Sequence, residues 1–209
     1  DVFWLDRQTR ELVRVSTGLN GEPADADSGT LAPGSGLHSL DISSDGQQLV
    51  YLSLASNLVQ KPGDCPPLST DLCNGLYYHD HRTGTTELIA SRRSNGFNHP
   101  PTLSGDGRWV SYAGLRYDCQ PPQFCSDILR YDRQRGWTYN LTGYVGRLPP
   151  YSWAITTSMN LPGVDTYALT YSNDGQYLAA ASNDASVRVF QTREQTDFAA
   201  LMGETSTAI

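Results

Sequence analysis

The four cysteines are the residues whose chemistry is easiest to predict, because they fall into two close pairs. Seven residues separate Cys65 from Cys73, and five separate Cys119 from Cys125. We interpret each pair as a disulfide within one loop, which indicates an oxidising compartment. The alternative is a zinc site that uses all four thiolates, but zinc ligands usually come as tighter Cys-x-x-Cys pairs.

Two other clusters contain residue types that bind metals. Asp25 and Asp27, followed by Gly29, alternate as the carboxylates of a calcium loop do, but the later bidentate acid is missing. We therefore favour an ordinary acidic loop and keep calcium as a weak alternative. His79 and His81 would lie on one face of a strand and could form half of a metal site. No second cluster accompanies them, so a solvated or cross-strand pair of histidines is favoured.

The sequence contains no motif typical of catalysis. Neither a Gly-x-Ser-x-Gly nucleophile motif nor a phosphate-binding glycine motif between a strand and a helix occurs. The paired carboxylates of glycoside cleavage are defined by geometry and not by spacing. The sequence therefore predicts a protein that is not an enzyme and needs no cofactor.

Charge and hydropathy exclude two classes of partner. The net charge is −7, and the largest basic cluster is Arg92-Arg93, so the neutralisation of phosphates that nucleic-acid binding requires is not expected. No apolar run approaches the roughly 18 residues of a membrane span, and no signal-peptide pattern is present. The chain begins without Met and directly in a strand pattern, so we expect a mature or partial piece of a longer protein.

The elements that position these residues are repeated hairpins. A Ser-x-Asp-Gly turn lies between two apolar runs in each of three segments, 41–51, 102–112 and 170–178. Asp-Gly is a strong hairpin signal, because glycine adopts positive φ without steric cost and the aspartate side chain bonds to its own backbone. Each hairpin is followed by a strand that ends at Asp, a turn and another strand, as in 75–89 and 127–142. The N-terminal residues 1–16 form a further copy of this second unit, and 186–194 a degraded one.

Two hairpins in tandem make one four-stranded unit, which is the blade of a β-propeller. The predicted organisation is a single propeller segment, with a half blade at 1–16, blades at 37–91, 97–142 and 164–201, and connectors at 17–36 and 143–163. Three and a half blades are fewer than the usual minimum of four. We therefore expect a larger propeller, completed either by missing sequence or by another chain.

The hairpin motif and the Asp-Arg-Gln-Thr turn at residues 6–9 resemble the WD-like repeats of TolB-type β-propellers. Within that class the chain is most similar to a secreted bacterial subgroup with a D-x-F-x-x-D-R-Q-T-G unit and S-x-D-G repeats. The resemblance covers nearly the whole chain, although residues 178–190 are closer to an ordinary WD repeat. It implies an all-β propeller fold and leaves the function open, since propellers include binding modules, lectins and hydrolases.

We expect a non-catalytic, extracytoplasmic interaction module that binds another protein chain, and completion of the propeller is one role for that chain. The expected contacts are in the loops 62–74, 117–126 and 143–163, the last of which contains Tyr144, Tyr151 and Trp153. Exposed aromatic residues in a proline-rich connector favour an interface. The alternatives are the propeller portion of a secreted peptidase or carbohydrate-active hydrolase, and a carbohydrate-binding propeller.

Overall fold

The computed structural model describes residues 1–30, 39–60, 73–93, 97, 99–116, 125–141, 166–191 and 200–202. These residues form β-strands, turns and irregular segments, and none of them is in a helix. Among them, no helix is long and apolar enough to span a membrane. The all-β prediction is confirmed.

The strands form four antiparallel sheets, each ordered as in the sequence. Sheet 1 contains β1 (Phe3–Leu5) and β2 (Leu12–Arg14). Sheet 2 contains β3 (Leu40–Ile42), β4 (Gln48–Ser53), β5 (Cys73–Asp80) and β6 (Thr85–Arg93). Sheet 3 contains β7 (Thr102–Leu103), β8 (Trp109–Arg116), β9 (Cys125–Asp132) and β10 (Trp137–Asn140). Sheet 4 contains β11 (Thr166–Tyr171), β12 (Tyr177–Ser182), β13 (Val187–Gln191) and β14 (Ala200–Met202). Three four-stranded sheets and one two-stranded sheet match the predicted three and a half units.

The Ser-x-Asp-Gly turns form because their own side chains satisfy the backbone of the hairpin. In the first turn, the hydroxyl of Ser43 donates to Asp45 Oδ1 at 2.6 Å and accepts from the amide of Gln48 at 2.9 Å. The amide of Gln47 donates to the same carboxylate oxygen at 3.0 Å, and Gly46 has a φ of 71°. The other two turns repeat these bonds, so the motif fixes the start of β4, β8 and β12.

Alternation along the strands places an apolar layer on both faces of sheet 2. Leu49 and Tyr51 point towards sheet 1 and pack with Val2, whereas Val50 and Leu52 point towards sheet 3 and pack with Val110. All six side chains are buried. A third cluster, formed by Ile128, Leu178, Ala180 and Phe190, joins sheets 3 and 4. The sheets are therefore stacked face to face in chain order.

Main-chain contacts between the turns set the distance between successive sheets. The amide of Ser44 donates to the carbonyl of Gly105 at 2.9 Å. A Cβ atom at Gly105 would collide with the hydroxyl of Ser44 on one side and with the carbonyl of Asn173 on the other. These three residues occupy the variable position of successive Ser-x-Asp-Gly turns, so the three turns touch in series. Near them, Asp41 Oδ2 accepts from the amide of Leu103 at 2.8 Å.

Candidate functional site

Five of the candidate residues lie outside the described residues: Cys65, Cys119, Tyr144, Tyr151 and Trp153. Cys73 and Cys125 are the first residues of β5 and β9, but their side chains are also outside the described part of the structure. The two disulfides and the aromatic contacts of the connector therefore stay predictions.

The strands from which the cysteine-bearing loops extend can be placed. In sheet 2, Ser53 at the end of β4 pairs with Gly75, and in sheet 3, Arg116 at the end of β8 pairs with Cys125. In both sheets this is the end opposite to the Ser-x-Asp-Gly turn. Because the turns of successive sheets touch, both loops are attached on the same side of the stack.

The calcium candidate Asp25 is occupied by hydrogen bonds within the protein. Its carboxylate accepts from the amide of Ser56 at 2.7 Å and also from the hydroxyl of Ser56. Burial alone would raise the pKa of Asp25, but the two bonds from Ser56 outweigh this effect and lower the pKa. The main-chain carbonyl of Asp27 accepts from the amide of Leu54 at 2.9 Å. Both aspartates thus attach the connector to the chain that follows β4.

His79 lies on β5 and His81 in the turn that follows it, so the prediction that both would lie on one face of a strand is wrong. His79 is buried, and its Nδ1 lies 2.9 Å from the hydroxyl of Thr86, its partner on β6. Burial is the main cause that lowers the pKa of His79. His81 stacks on the indole of Trp4. No group of three or more His, Cys, Asp or Glu side chains that could hold a metal ion occurs among the residues the structure describes.

A buried ion pair lies in sheet 3. Arg108 donates from Nε to Asp132 Oδ1 at 3.2 Å and from Nη2 to Oδ2 at 3.0 Å. Asp132 is fully buried, which by itself raises its pKa, but the bonds from Arg108 and the amide of Gln134 lower the pKa below the ordinary value. Arg108 lies just before the second strand of the sheet, and Asp132 is the last residue of the third. Because the arginine binds both carboxylate oxygens, this ion pair links the two strands.

Sheet 1 has a largely apolar face that no other sheet of the described residues covers, although the guanidinium carbon of Arg14 lies 5.7 Å from the centroid of the Phe3 ring. Phe3 is 50% exposed and Leu5 is 56% exposed, whereas Tyr77 and His79, at the same positions of β5, are 0% and 7% exposed. Sheet 1 itself covers Tyr77 in sheet 2. Leu12 pairs with Leu5 and is also exposed, so Phe3, Leu5 and Leu12 form one patch. We call this patch the open face of sheet 1.

The edge of sheet 1 is open as well as its face. Val15 donates its amide to Val2, and the amide of Asp6 donates to Glu11, so the groups of Val2, Trp4 and Asp6 point towards β2. In an antiparallel ladder the alternate residues point the other way. The main-chain groups of Phe3 and Leu5 therefore point away from β2, and no other described strand pairs with β1.

The far side of sheet 4 is exposed in the same way. Val187 is 50% exposed, whereas Ile128, at the same position of the third strand in sheet 3, is 1% exposed. Tyr177 is exposed, whereas Trp109 at the equivalent position is buried. Sheets 1 and 4, at the two ends of the stack, therefore expose large apolar residues at positions that are buried between neighbouring sheets.

Comparison with solved structures identifies the architecture. The tricorn protease matches over 95% of this chain with a TM-score of 0.53 and 12% sequence identity. An oligogalacturonate lyase in complex with manganese matches over 95% of this chain with a TM-score of 0.52 and 14% identity. These neighbours are β-propeller proteins. The sheets of this chain are propeller blades.

The propeller assignment concerns the fold alone, because these identities are low. TolB from Acinetobacter baumannii also matches, with 13% identity and a TM-score of 0.41. No protein-family model and no curated protein matches the chain. The chain spans 17% of the tricorn protease chain and 46% of the lyase chain, so it corresponds to less than half of each neighbour's length.

The half blade at residues 1–16 was predicted from the sequence, but the exposure of Phe3 and Leu5 on its outer face was not. A signal was available, because Phe3 and Leu5 align with Tyr77 and His79 when the repeats are superimposed on Asp6 and Asp80. Apolar residues at positions that are buried or partly buried in the complete blades mark a surface that another blade should cover.

Proposed function

We propose that this chain is a non-catalytic, extracytoplasmic protein-interaction module. In this proposal an arc of propeller blades binds another polypeptide through the open face of sheet 1. The observation that carries the proposal is the contrast between Phe3 and Leu5, which are about half exposed, and their buried equivalents Tyr77 and His79. The same repeat places these positions in a blade interface wherever a preceding blade is present.

The size of the effect supports an interaction surface. Complete burial of one large apolar side chain contributes about 1.5 to 3 kcal/mol relative to full exposure. Phe3, Leu5 and Leu12 are adjacent, and the remaining burial of all three would contribute a few kcal/mol. Contiguous exposed apolar patches on folded proteins commonly mark interaction sites.

The states of the acidic residues support a role other than catalysis. Asp45 and Asp174 receive hydrogen bonds from the serine hydroxyls of their own turns, which are the main cause that lowers the pKa of each carboxyl. Asp132 is held by Arg108 and Asp25 by Ser56. Carboxylates kept ionised by structural bonds are poor general acids at neutral pH. The extracytoplasmic location depends on the predicted disulfides and is proposed with them.

Site-specific photocross-linking tests this function. p-Benzoylphenylalanine would be placed at position 5 of the chain produced in its natural host, and at position 137 as the control. Trp137 is a large, similarly exposed apolar residue on the fourth strand of sheet 3, away from the open face. We expect one defined cross-linked polypeptide from position 5 that is absent or much weaker from position 137. Equal cross-linking from both positions, or none from position 5, would contradict the proposal.

A further inference from the structure

One contact recurs between successive blades, with a permanent cation at one interface and a histidine at the other. In sheet 2, Tyr78 lies two residues before Asp80, and in sheet 3, Arg133 directly follows Asp132. The guanidinium carbon of Arg133 lies 3.4 Å from the centroid of the Tyr78 ring. A cation over the face of an aromatic ring is attracted by the quadrupole of the ring. An aromatic side chain of one blade therefore receives a charged side chain from the turn of the next blade.

Trp4 and His81 occupy the same two positions at the preceding interface. Trp4 lies two residues before Asp6, and His81 directly follows Asp80. Their rings are stacked with centroids 3.6 Å apart, so the imidazole lies where the next interface has a guanidinium. The charge of a guanidinium is permanent, whereas an imidazole gains its charge between about pH 8 and pH 5. A proton on His81 would convert a stack of two rings into the cation–π contact of the following interface.

Hydrogen bonds hold both residues of this contact against one turn of sheet 2. The indole nitrogen of Trp4 donates to the carbonyl of Gly46 at 2.6 Å, and the amide of His81 donates to the carbonyl of Gln47 at 2.8 Å. Both residues are thus bonded to the first Ser-x-Asp-Gly turn. A stronger attraction between the two rings therefore acts directly on how firmly sheet 1 is held on sheet 2.

Sheet 1 places a carboxylate near His81 in addition to the indole. The pKa of Asp6, which follows β1, is lowered first by the bond from the amide of Gln8, and the charge of His81 lowers it further. The same attraction favours the charged form of the imidazole. His81 is partly exposed, so its ring can exchange a proton with the solvent.

Sheet 2 surrounds His81 with charges of both signs. His81 lies between Asp80 and Arg82 in the chain, and Arg82 is paired with the carboxylate of Asp45. The buried His79 is the neighbour that would repel a charged His81. Because burial, and then repulsion from His81, lowers the pKa of His79 below 6.5, most His79 rings are still neutral at pH 6.5. The carboxylates therefore act on His81 before His79 is charged.

We propose that His81 is a pH-sensitive switch whose protonation holds the half blade more firmly on sheet 2. The inference goes beyond the proposed function and does not depend on it, because the contact lies between sheets 1 and 2 and not at the open face. Protonation of His79 weakens the whole fold, whereas protonation of His81 closes one local contact. Local opening and global unfolding have separate free energies. Mild acid should therefore reduce the opening of sheet 1 even where it lowers the global stability.

Amide hydrogen exchange tests this switch. The probes are the amides of Asp6 and Val15, whose bonds to Glu11 and Val2 close sheet 1. The parent protein carries His79→Gln, which removes the pH dependence of the buried imidazole. The protection factor, by which the fold slows exchange, is compared at about pH 5.5 and about pH 8. We expect the protection of both amides to be about two- to fivefold greater at the lower pH, as for a cation over an exposed indole.

Three further substitutions in this parent make the test specific. His81→Arg supplies a permanent charge and should give the greater protection at both pH values. His81→Gln supplies no charge and should abolish the pH dependence. Trp4→Leu keeps the histidine but removes the indole, and should abolish it as well. The amide of Leu141, which donates to Ile128 in sheet 3, is the internal reference and should respond to none of these changes.

Three results would overturn the switch. Equal protection of the parent at both pH values would show that protonation of His81 does not strengthen the contact. A pH dependence that persists in His81→Gln would have another titrating group as its cause. A pH dependence that persists in Trp4→Leu would assign the effect to the nearby carboxylates and not to the stacked rings.

Discussion

The indole ring of Trp4 stacks on the imidazole of His81, with ring centroids 3.6 Å apart and an interplanar angle of 20°. The indole nitrogen also donates to the carbonyl of Gly46 at 2.6 Å. One side chain of sheet 1 therefore contacts both turns at the same end of sheet 2. This contact adds a stacked ring and a hydrogen bond to the packing of Val2 and Val15 that holds the half blade on sheet 2.

Replacing Trp4 should loosen sheet 1 in two separable steps. Trp4→Phe keeps an aromatic ring but removes the donor, and should lower the free energy of unfolding by about 1 kcal/mol. Trp4→Ala also removes the stacking and packing and should cost about 3 kcal/mol or somewhat less, because the side chain is only half-buried. Urea unfolding measures both. Trp137→Phe is the matched control and should change stability by less than about 0.5 kcal/mol, so equal effects of the two phenylalanine variants would contradict the role of Trp4.

Removal of the buried ion pair between Arg108 and Asp132 should lower the free energy of unfolding far more than removal of an exposed pair. Arg108→Met leaves the buried carboxylate with only the more distant Arg135, whose Nε lies 3.9 Å from Asp132 Oδ2, and should cost roughly 3 kcal/mol. Arg82→Met breaks the exposed pair with Asp45 and should cost at most about 1 kcal/mol. Because the pKa of Asp132 is lowered in the folded state, its contribution is present above pH 3.8 and is lost as the pH falls through the folded value. Acid unfolding of Arg108→Met that matches the wild type would contradict this assignment.

His79 should make the protein less stable in mild acid. Burial, reinforced by the nearby His81, lowers the pKa of His79 below its ordinary value of 6.5, with Asp80 opposing the shift. The unfolded chain then binds more protons than the folded chain, so the free energy of unfolding should decrease as the pH falls through 6.5. His79→Gln should flatten this part of the profile, whereas Thr86→Val, which keeps the imidazole, should retain the slope. A profile unchanged by His79→Gln would show that other groups cause the dependence.

Arg10 occupies a backbone conformation that favours glycine. Its φ is 62°, and the equivalent positions in the next two blades are Gly84 and Gly136. Arg10→Gly should therefore raise the free energy of unfolding by about 0.5 to 1 kcal/mol, after the greater chain entropy of glycine is subtracted. Gly84→Ala is the reciprocal control, because its φ is 66° and no atom lies within 4 Å of the added Cβ, so only backbone strain is introduced. It should destabilise by about 1 kcal/mol, and a destabilising Arg10→Gly would contradict the turn equivalence.

The two predicted disulfides can be measured directly. The protein isolated from its source should be lighter by four hydrogens than the reduced chain, and iodoacetamide should label none of its four cysteines before reduction. Each loop disulfide should stabilise the fold by roughly 2 to 3 kcal/mol. Four thiols that react without reductant would contradict the disulfides and remove the support for an extracytoplasmic location. Four thiols that react only after a chelator is added would instead support the zinc alternative.

Local patterns were sufficient to predict the blades, because each blade is built from short-range hairpins. The Ser-x-Asp-Gly turns are closed by bonds between residues two to five positions apart, such as those between Ser43, Asp45 and Gln48. The burial of Tyr51 and Tyr77 also follows from the continuous apolar runs in which they stand, since both faces of β4 and β5 are covered. Information of this kind is contained in a few consecutive residues.

The contacts between hairpins and blades could not be predicted from the sequence, since they depend on how strands are paired and stacked. Asp45 is bound by Arg82, 37 residues away, whereas Asp132 is bound by Arg108, 24 residues away and in the opposite order along the chain. In sheet 2 an arginine thus binds the aspartate of the Ser-x-Asp-Gly turn, whereas in sheet 3 an arginine binds the aspartate at the end of the third strand. The contact of Trp4 with Gly46 depends on the distance between sheets 1 and 2. The periodicity of the sequence does not encode that distance.

Gly105 lies where the variable residues of three successive turns meet, between Ser44 and Asn173, with no space for a side chain. In a propeller, the angular step from one blade to the next determines how many blades fit around the axis. Because a Cβ at Gly105 would collide with Ser44 and with the carbonyl of Asn173, this glycine limits how closely the three blades approach one another at their turns. A larger residue at position 105 would change the curvature, and with it the number of blades that a closed ring could contain.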